Sequence, residues 1–371
     1  MIISRSGRSA PPRREQGFPK GELSLIASLR KRSGGINGEV RLGIGDDCAL
    51  LCPRPGEEIA VTTDFSLENV HFRRDWHPPE SVGHRCLARG LSDLAAMGAR
   101  PIAAFLSIAV PRELTIGRRG QPSWVDRFFD GLLALAHEAR IPLAGGDTAE
   151  SPRMVTKSGD VGLVAADMVL VGGVKRSHAL LRSGAKAGDL IYVTGTGLGG
   201  ASAQLLALEQ DPRKFAAIKS AAPGHPHLYP EPRLEVGRKL ASSRKLATAC
   251  IDISDGLSTD LHHLSEESGL RAEIDSAALP IHPMAHLAEA AGWAPSALCL
   301  ALHGGEDYEL LFTAPPQTKM PKSIAGVPIH AIGRMKAARK GRPVLTLANQ
   351  GQPASELTAK GWEHFRLASP R

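Results

Sequence analysis

The residues of this chain with the clearest chemical potential are aspartates in five places: Gly45-Asp46-Asp47, Thr62-Thr63-Asp64, Asp93, Gly145-Gly146-Asp147 and Asp252-Ile253-Ser254-Asp255-Gly256. In four of them an apolar run ends in Gly, Ser or Thr beside the acid. A strand end presents its last side chain to a loop or cleft, and small neighbours leave room for a ligand against the backbone. One such aspartate is ordinarily a turn former or a helix cap, and Asp255 is placed to cap a following helix. Five in a similar setting point to a shared task. Carboxylates and hydroxyls are hard oxygen ligands suited to Mg2+, which binds through one or two carboxylates and the phosphates of a nucleotide. Phosphoryl transfer is the reaction class that follows.

Two common ways of holding a nucleotide are missing. The chain has no G-x-x-x-x-G-K-[ST] phosphate loop and no protein-kinase signature. A rival signal is Gly195-Thr196-Gly197-Leu198-Gly199-Gly200, which follows a good strand and fits the G-x-G-x-x-G fingerprint of an NAD-binding oxidoreductase. That reading needs an acidic residue about 20 positions on, where the sequence runs Pro212-Arg213-Lys214-Phe215. The glycines read better as a tight strand-to-helix turn. The five cysteines form no C-x-x-C pair, and Cys48 and Cys52 lie in the opposite half of the chain from His282 and His286, so neither a disulfide framework nor a finger-type zinc site is expected. Reduced thiols fit a cytoplasmic protein.

The elements that must position these acids alternate in type. Strands are predicted at Gly43–Leu51, Ile59–Phe65, Ile102–Val110, Ile141–Ala144 and Val161–Val171, and helices at Leu23–Leu29, Ser81–Met97 and Trp124–Ala139. A passage dense in Gly, Lys, Arg and Ser follows from 172 to 188. Strands at Leu190–Thr194, Thr248–Ile253 and Tyr308–Thr313, with intervening helices, then make a second half. At 371 residues, with 42% apolar content, two cores of ordinary size are expected. The boundaries read as a flexible basic tail over 1–20, a first domain over 21–172 and a second over 173–371, in an α/β (α+β) architecture. Of the net charge of +7, the tail supplies +4 through Arg5, Arg8, Arg13, Arg14 and Lys20 against Glu15. No base-stacking motif accompanies it, which argues against a nucleic-acid partner. No stretch of about 18 uninterrupted apolar residues is present to span a membrane.

Seven motifs stand in a fixed order: GIGDDCALL (43–51), TTDFSLENVHF (62–72), LSDLAAMGA (91–99), GGDT (145–148), RSGAKAGD (182–189), DISDGL (252–257) and GGEDYELLF (304–312). Together they closely resemble the thiamine-monophosphate kinase family. The resemblance implies a two-domain PurM-like fold, in which a mixed-sheet N-terminal domain pairs with a second subunit to give a homodimer and a C-terminal α/β domain covers the active site. It implies transfer of the γ-phosphate of ATP to thiamine monophosphate with Mg2+. By motif position, Asp47, Thr62, Thr63, Asp64, Asp93, Asp147, Asp252 and Asp255 look like metal ligands. Gly146, Asp147, Arg182 and Ser254 look like ATP contacts, and His71, Glu306 and Trp362 look like substrate contacts. Asp64, Asp147 and Arg182 are the implied catalytic set.

Three departures from the family pattern stand out: Asn69 where glycine is usual, Gly90 where asparagine is common, and GGDT continuing as Ala149-Glu150. They leave the implied ligands intact. Selenophosphate synthetase, a relative that also uses ATP, would need a reactive Cys with a nearby Lys before the GDD motif, and no Cys precedes that motif.

Overall fold

The apolar runs of the first half pair into a four-stranded sheet. In chain order its strands are β1 (Glu57–Leu67), β2 (Arg100–Val110), β3 (Leu143–Glu150) and β4 (Ala165–Lys175), and in space they lie β1-β4-β2-β3. β4 runs antiparallel to β1 and β2, whereas β2 and β3 are parallel. The computed structural model describes residues 22–33, 38–117, 120–156, 159–216, 225–243, 246–349 and 352–365, so the basic segment 1–20 lies outside the described residues.

One face of this sheet is covered by α2 (Pro79–Ala96) and α3 (Trp124–Glu138), preceded in the chain by α1 (Glu22–Arg32). Leu87, Leu91 and Leu94 of α2 meet Phe128 and Leu132 of α3 over Leu106, Met168 and Leu170 of the sheet. A reciprocal Ser123–Asp126 capping box fixes where α3 starts. The other face is covered at one end by a short hairpin, Val40–Leu42 with Leu50–Leu51, packed around Ile102, Ala103 and Val171. At the other end Val61 and Phe65 are left 61% and 58% exposed.

Two expectations about the first half need correction. Of the strand predicted over Gly43–Leu51 only Leu50–Leu51 forms, because Gly45-Asp46-Asp47 prefers a turn and Gly45 takes a φ of 120°. Thr62, Asp64 and Asp147 also do not sit at strand ends. β1 pairs with β4 from Glu57↔Lys175 to Leu67↔Ala165, so its acid lies mid-strand. Polar residues there mark an edge strand with two distinct faces, not a terminus.

The second half is built on a larger sheet of eight strands. Its main members are β5 (Leu190–Thr194), β6 (Ala249–Asp252), β7 (Leu270–Asp275), β8 (Leu310–Ala314), β9 (Val327–Ala337) and β10 (Leu345–Ala348), in the spatial order β6-β8-β5-β9-β7-β10. All neighbours are antiparallel except β7 and β10. The helices α5 (Leu234–Ala241) and α6 (Leu257–Glu267) pack on it, and α4 (Gly200–Gln210) packs on the helices Pro283–Ala290 and Ala297–His303. α2 joins the halves, since Gly237 of α5 lies so close to the Ala95 carbonyl that a Cβ there would stand 1.9 Å from its oxygen. Sandwiched this way, α2 is buried along most of its length, including Arg85. No described helix is long and apolar enough to cross a membrane.

Candidate active site

α2 carries Arg85, Arg89 and Asp93 at four-residue intervals, one stripe rising about 6 Å per step. Each residue organises a different part of a cleft between the halves. At the Asp93 end, Thr62 Oγ1 donates to Asp93 Oδ2, and Ser92 Oγ donates to Asp252 Oδ2 at 2.7 Å. Burial and then the charge of Asp93 push the Asp252 carboxyl up to about 7. Burial likewise raises Asp93. Two carboxylates from different domains thus crowd one another, the arrangement a divalent cation relieves. Arg182 is exposed and near enough to draw Asp93, Asp252 and Asp255 downward against their burial.

In the middle of the stripe Arg89 forks onto Asp64, with Nη2 2.6 Å from Oδ1 and Nε 3.3 Å from Oδ2. Burial raises the Asp64 carboxyl to about 6, although Arg89 opposes it. At the far end, Arg85 Nη2 donates to Glu306 Oε1 at 2.6 Å and to the His71 carbonyl at 3.1 Å, while Nη1 donates to the His227 carbonyl. His227 Nδ1 is 3.0 Å from Glu306 Oε2, and its Nε2 is 2.9 Å from Nε2 of the buried His77. Burial alone would raise Glu306. Arg85, the His227 hydrogen bond and Arg89 outweigh it and hold the carboxyl well below its usual range.

Glu306 has a φ of 67° and its N–H donates to the Ser254 carbonyl at 2.7 Å. Trp362 N–H donates to the Asp255 carbonyl at 3.0 Å, leaving the indole 56% exposed. The Trp362 ring lies 5.6 Å from His364, which lies 5.7 Å from His71. His71 Nδ1 accepts the Leu67 N–H at 3.0 Å, and burial pushes this ring down to about 4, so it is neutral at pH 7. Asp255 does not cap α6. That task belongs to Asp260, whose Oδ2 accepts from the N–H groups of Asp255 and Gly256 at 3.1 and 3.0 Å.

Thr62, Asp64, Asp93, Asp252, Asp255, Arg182, Ser254, His71, Glu306 and Trp362 therefore gather around the α2 stripe, where the two halves meet. Asp47, Thr63 and Asp147 do not join them. Side chains alternate along a strand, so Thr63 shares the open face with Val61 and Phe65. Asp147 lies in register with Ser107, then Asp167, then Phe65, on the face opposite Asp64 and about 14 Å across three strand spacings. With Asp46, Asp47, Gly146, Thr148 and Glu22 it lines a separate cleft of ≈ 770 Å³. Gly146 is required there, since a Cβ would stand 1.8 Å from the Leu106 carbonyl oxygen.

Among the described residues no three His, Cys, Asp or Glu side chains converge as a ready-made metal cage. A divided set of oxygen donors nonetheless fits Mg2+, which takes one or two carboxylates and completes its shell with water and phosphate oxygens. Arg85, Arg89, Ser92, His227 and Asp260 were not picked out from sequence. The signal available for the first two was the charged stripe at four-residue spacing on an otherwise small and apolar helix. The oxidoreductase reading meets an obstacle at α4. Gly199 and Ala201 donate to Asp307 at 2.6 and 3.2 Å, so the chain's own carboxylate fills the position a dinucleotide pyrophosphate would need.

Comparison with known proteins bears on this geometry. The family models for the AIR synthase related protein N-terminal and C-terminal domains match residues 45–174 and 186–345. The thiamine-monophosphate kinase of Salmonella typhimurium is 38% identical over 351 residues, 93% of this chain and 98% of the relative. The chain belongs to the thiamine-monophosphate kinase family. The Bacillus subtilis member is 33% identical over 93% of this chain and 99% of its own length. The crystal structure of thiamine-monophosphate kinase from Stenotrophomonas maltophilia K279a superposes with a TM-score of 0.72 at 33% identity, covering 90% of this chain and 97% of that one. AaThiL complexed with AMPPCP and TMP gives 0.65 at 27%, covering 93% and 97%. The hydrogenase maturation protein HypE in complex with ATP, at 19% identity and a TM-score of 0.67, shares the fold. The fold is thus the two-domain PurM-like one. One family departure also finds its reason: Asn69 has a φ of 67°, a left-handed backbone that asparagine tolerates better than most residues.

Proposed function

We propose that this chain transfers the γ-phosphate of ATP to thiamine monophosphate, giving thiamine diphosphate and ADP, in the cytoplasm, with Mg2+ and as a homodimer. The observation that carries the reading is the meeting of carboxylates from both halves around α2: Asp64 and Asp93 from the first, Asp252 and Asp255 from the second. Both reactants are polyanions, and bringing their phosphates together is opposed by roughly several kcal/mol at an effective dielectric of about 20. Asp64, Asp93, Asp252 and Asp255, with Thr62, would hold Mg2+, which supplies charge neutralisation between the reactants. Arg182 adds a forked positive charge suited to nucleotide phosphates. His71, neutral, and Glu306, ionised, flank the place where Trp362 offers an indole face to a cationic ring. The acceptor is a phosphate oxygen already ionised near neutral pH, so no side chain has to remove a proton. Alignment of the two phosphates is then the protein's main task.

The homodimer explains the second acidic group. Asp47 and Asp147 lie away from the acids around α2 in their own chain, lining the second cleft, and the sheet face that carries Asp147 also exposes Val61 and Phe65 at its far edge. Pairing these faces between two copies covers the apolar residues and lets each copy lend its Asp47 and Asp147 to the other's cleft.

Incubation of the pure protein with ATP, Mg2+ and thiamine monophosphate, followed by chromatography, tests the reaction. Thiamine diphosphate should form and EDTA should abolish it; no product with Mg2+ present sinks the reading. Asp64→Ala and Asp147→Ala should each be inactive yet folded. Mixed and allowed to exchange subunits, they should recover about a quarter of wild-type activity, because half the dimers then hold one intact site.

A further inference from the structure

We propose that Arg89 receives the phosphate of thiamine monophosphate and thereby makes the cleft select the phosphorylated substrate over free thiamine. This rests on the function proposed above and assigns a residue to one part of it. On the α2 stripe Arg89 stands one turn from Arg85, which holds Glu306, and one turn from Asp93, beside Thr62 and Asp252. A substrate whose rings lie by Glu306, His71 and Trp362, and whose phosphate reaches the acidic end, passes the Arg89 guanidinium on its way.

The hydrogen bonding of Arg89 leaves capacity for that contact. Nε and Nη2 are used on Asp64, whereas Nη1 is buried without a hydrogen-bond partner. Arg85, by contrast, is committed to Glu306 and to the carbonyls of His71 and His227. Arg182 is exposed, its field felt at the acidic end. A buried donor with no acceptor is unfavourable, and a guanidinium held only by a carboxylate is a poor neighbour for a cation on that same carboxylate. A phosphate dianion answers both needs, since its oxygens can accept from Nη1 and share the Nη2 side of the guanidinium with Asp64, which would be one of the groups to hold Mg2+. Glu306 and Tyr308 also face this guanidinium. Without Arg89, a phosphate arriving here would meet Asp64 with its ion-pair partner gone.

The test is calorimetric binding of thiamine monophosphate and of thiamine in EDTA without ATP, to wild type, Arg89→Met and Arg89→Lys, so that no metal mediates the contact. Wild type should prefer the monophosphate by about tenfold or more. In Arg89→Met the preference should vanish or reverse with thiamine affinity unchanged, and Arg89→Lys, which keeps the charge without the fork, should fall between. A wild-type preference retained by folded Arg89→Met overturns the proposal. If Arg89→Met does not fold, a preference undiminished in Arg89→Lys does so instead. Thiamine diphosphate formation by wild type with ATP and Mg2+ is measured alongside. Its absence refutes the underlying function, whereas its presence without the expected loss in the variants refutes only the role of Arg89.

Discussion

Arg85→Met should damage both the stability of the protein and its hold on the acceptor. The side chain is 3% exposed and ties together Glu306, the His71 carbonyl and the His227 carbonyl, so one guanidinium joins the first half of the chain to the second. Methionine replaces the stem volume but strands Glu306, a charge 24% exposed, against a neutral His227. Breaking a buried pair in this one-sided way costs about 3–5 kcal/mol. For a protein of this size that lowers the thermal midpoint by about 4–6 °C. Glu306→Gln removes the charge from the other side, and the double variant leaves neither partner stranded. The double should therefore cost no more than Arg85→Met alone, giving a coupling of about 2–3 kcal/mol. Thermal or urea unfolding of the four proteins measures this. In turnover, KM for thiamine monophosphate should rise in Arg85→Met while KM for ATP stays near wild type, because Arg182 and the acidic end are untouched. A midpoint shift under about 2 °C, or single-variant effects that simply add, would refute the claim that Arg85 compensates Glu306.

The same carboxylate sets an acid limit. Glu306 is held below its usual 4.5, so the stability it contributes is complete above that pH and is lost as pH falls through its folded value; Glu306→Gln should lose stability less steeply than wild type below pH 4.5 in acid-unfolding curves. Gly83→Ala should cost about 2–3 kcal/mol by urea unfolding, since a Cβ there would lie 1.9 Å from the Phe128 carbonyl oxygen where α2 crosses α3. Phe65→Asp should turn a dimer into a monomer by analytical ultracentrifugation and lower activity in parallel; a Phe65→Asp dimer of wild-type stability would show that this face is not the pairing surface.

Much of the scaffold was legible because its signals are local. Apolar periodicity found α2, α3, β2 and β5 to within a few residues, and the glycines from 195 to 200 made the turn they suggested. The acids were legible as a set but not in their placement. Thr62 and Asp64 look terminal in sequence because edge-strand alternation resembles an apolar run giving out, yet the ladder with β4 continues through them. Asp255 resembled a cap because it precedes α6, while the cap comes from Asp260 inside the first turn, which positional preference alone does not single out. Arg85 was legible as one member of a charged stripe but not in its partners, and His227 was out of reach, since their value lies in contacts between residues 85, 227 and 306, set by packing of the two halves.

Strand alternation also constrains how the ligand set can work. Thr62 and Thr63 are neighbours in sequence but must point to opposite faces of β1, as must Gly146 and Asp147 on β3. A motif such as Thr-Thr-Asp on an edge strand therefore cannot direct all its oxygens into one cleft of one chain. Either Thr63 is a surface residue, or a second copy brings that face into a site. The exposed Val61 and Phe65 beside Thr63, and the position of Asp147 on the same face, favour the second alternative. Subunit exchange between Asp64→Ala and Asp147→Ala decides between them. A mixture as inactive as its components would mean that both acids serve the same cleft of one chain, and that β3 or the loop before β1 must move by roughly three strand spacings, about 14 Å, when substrate binds.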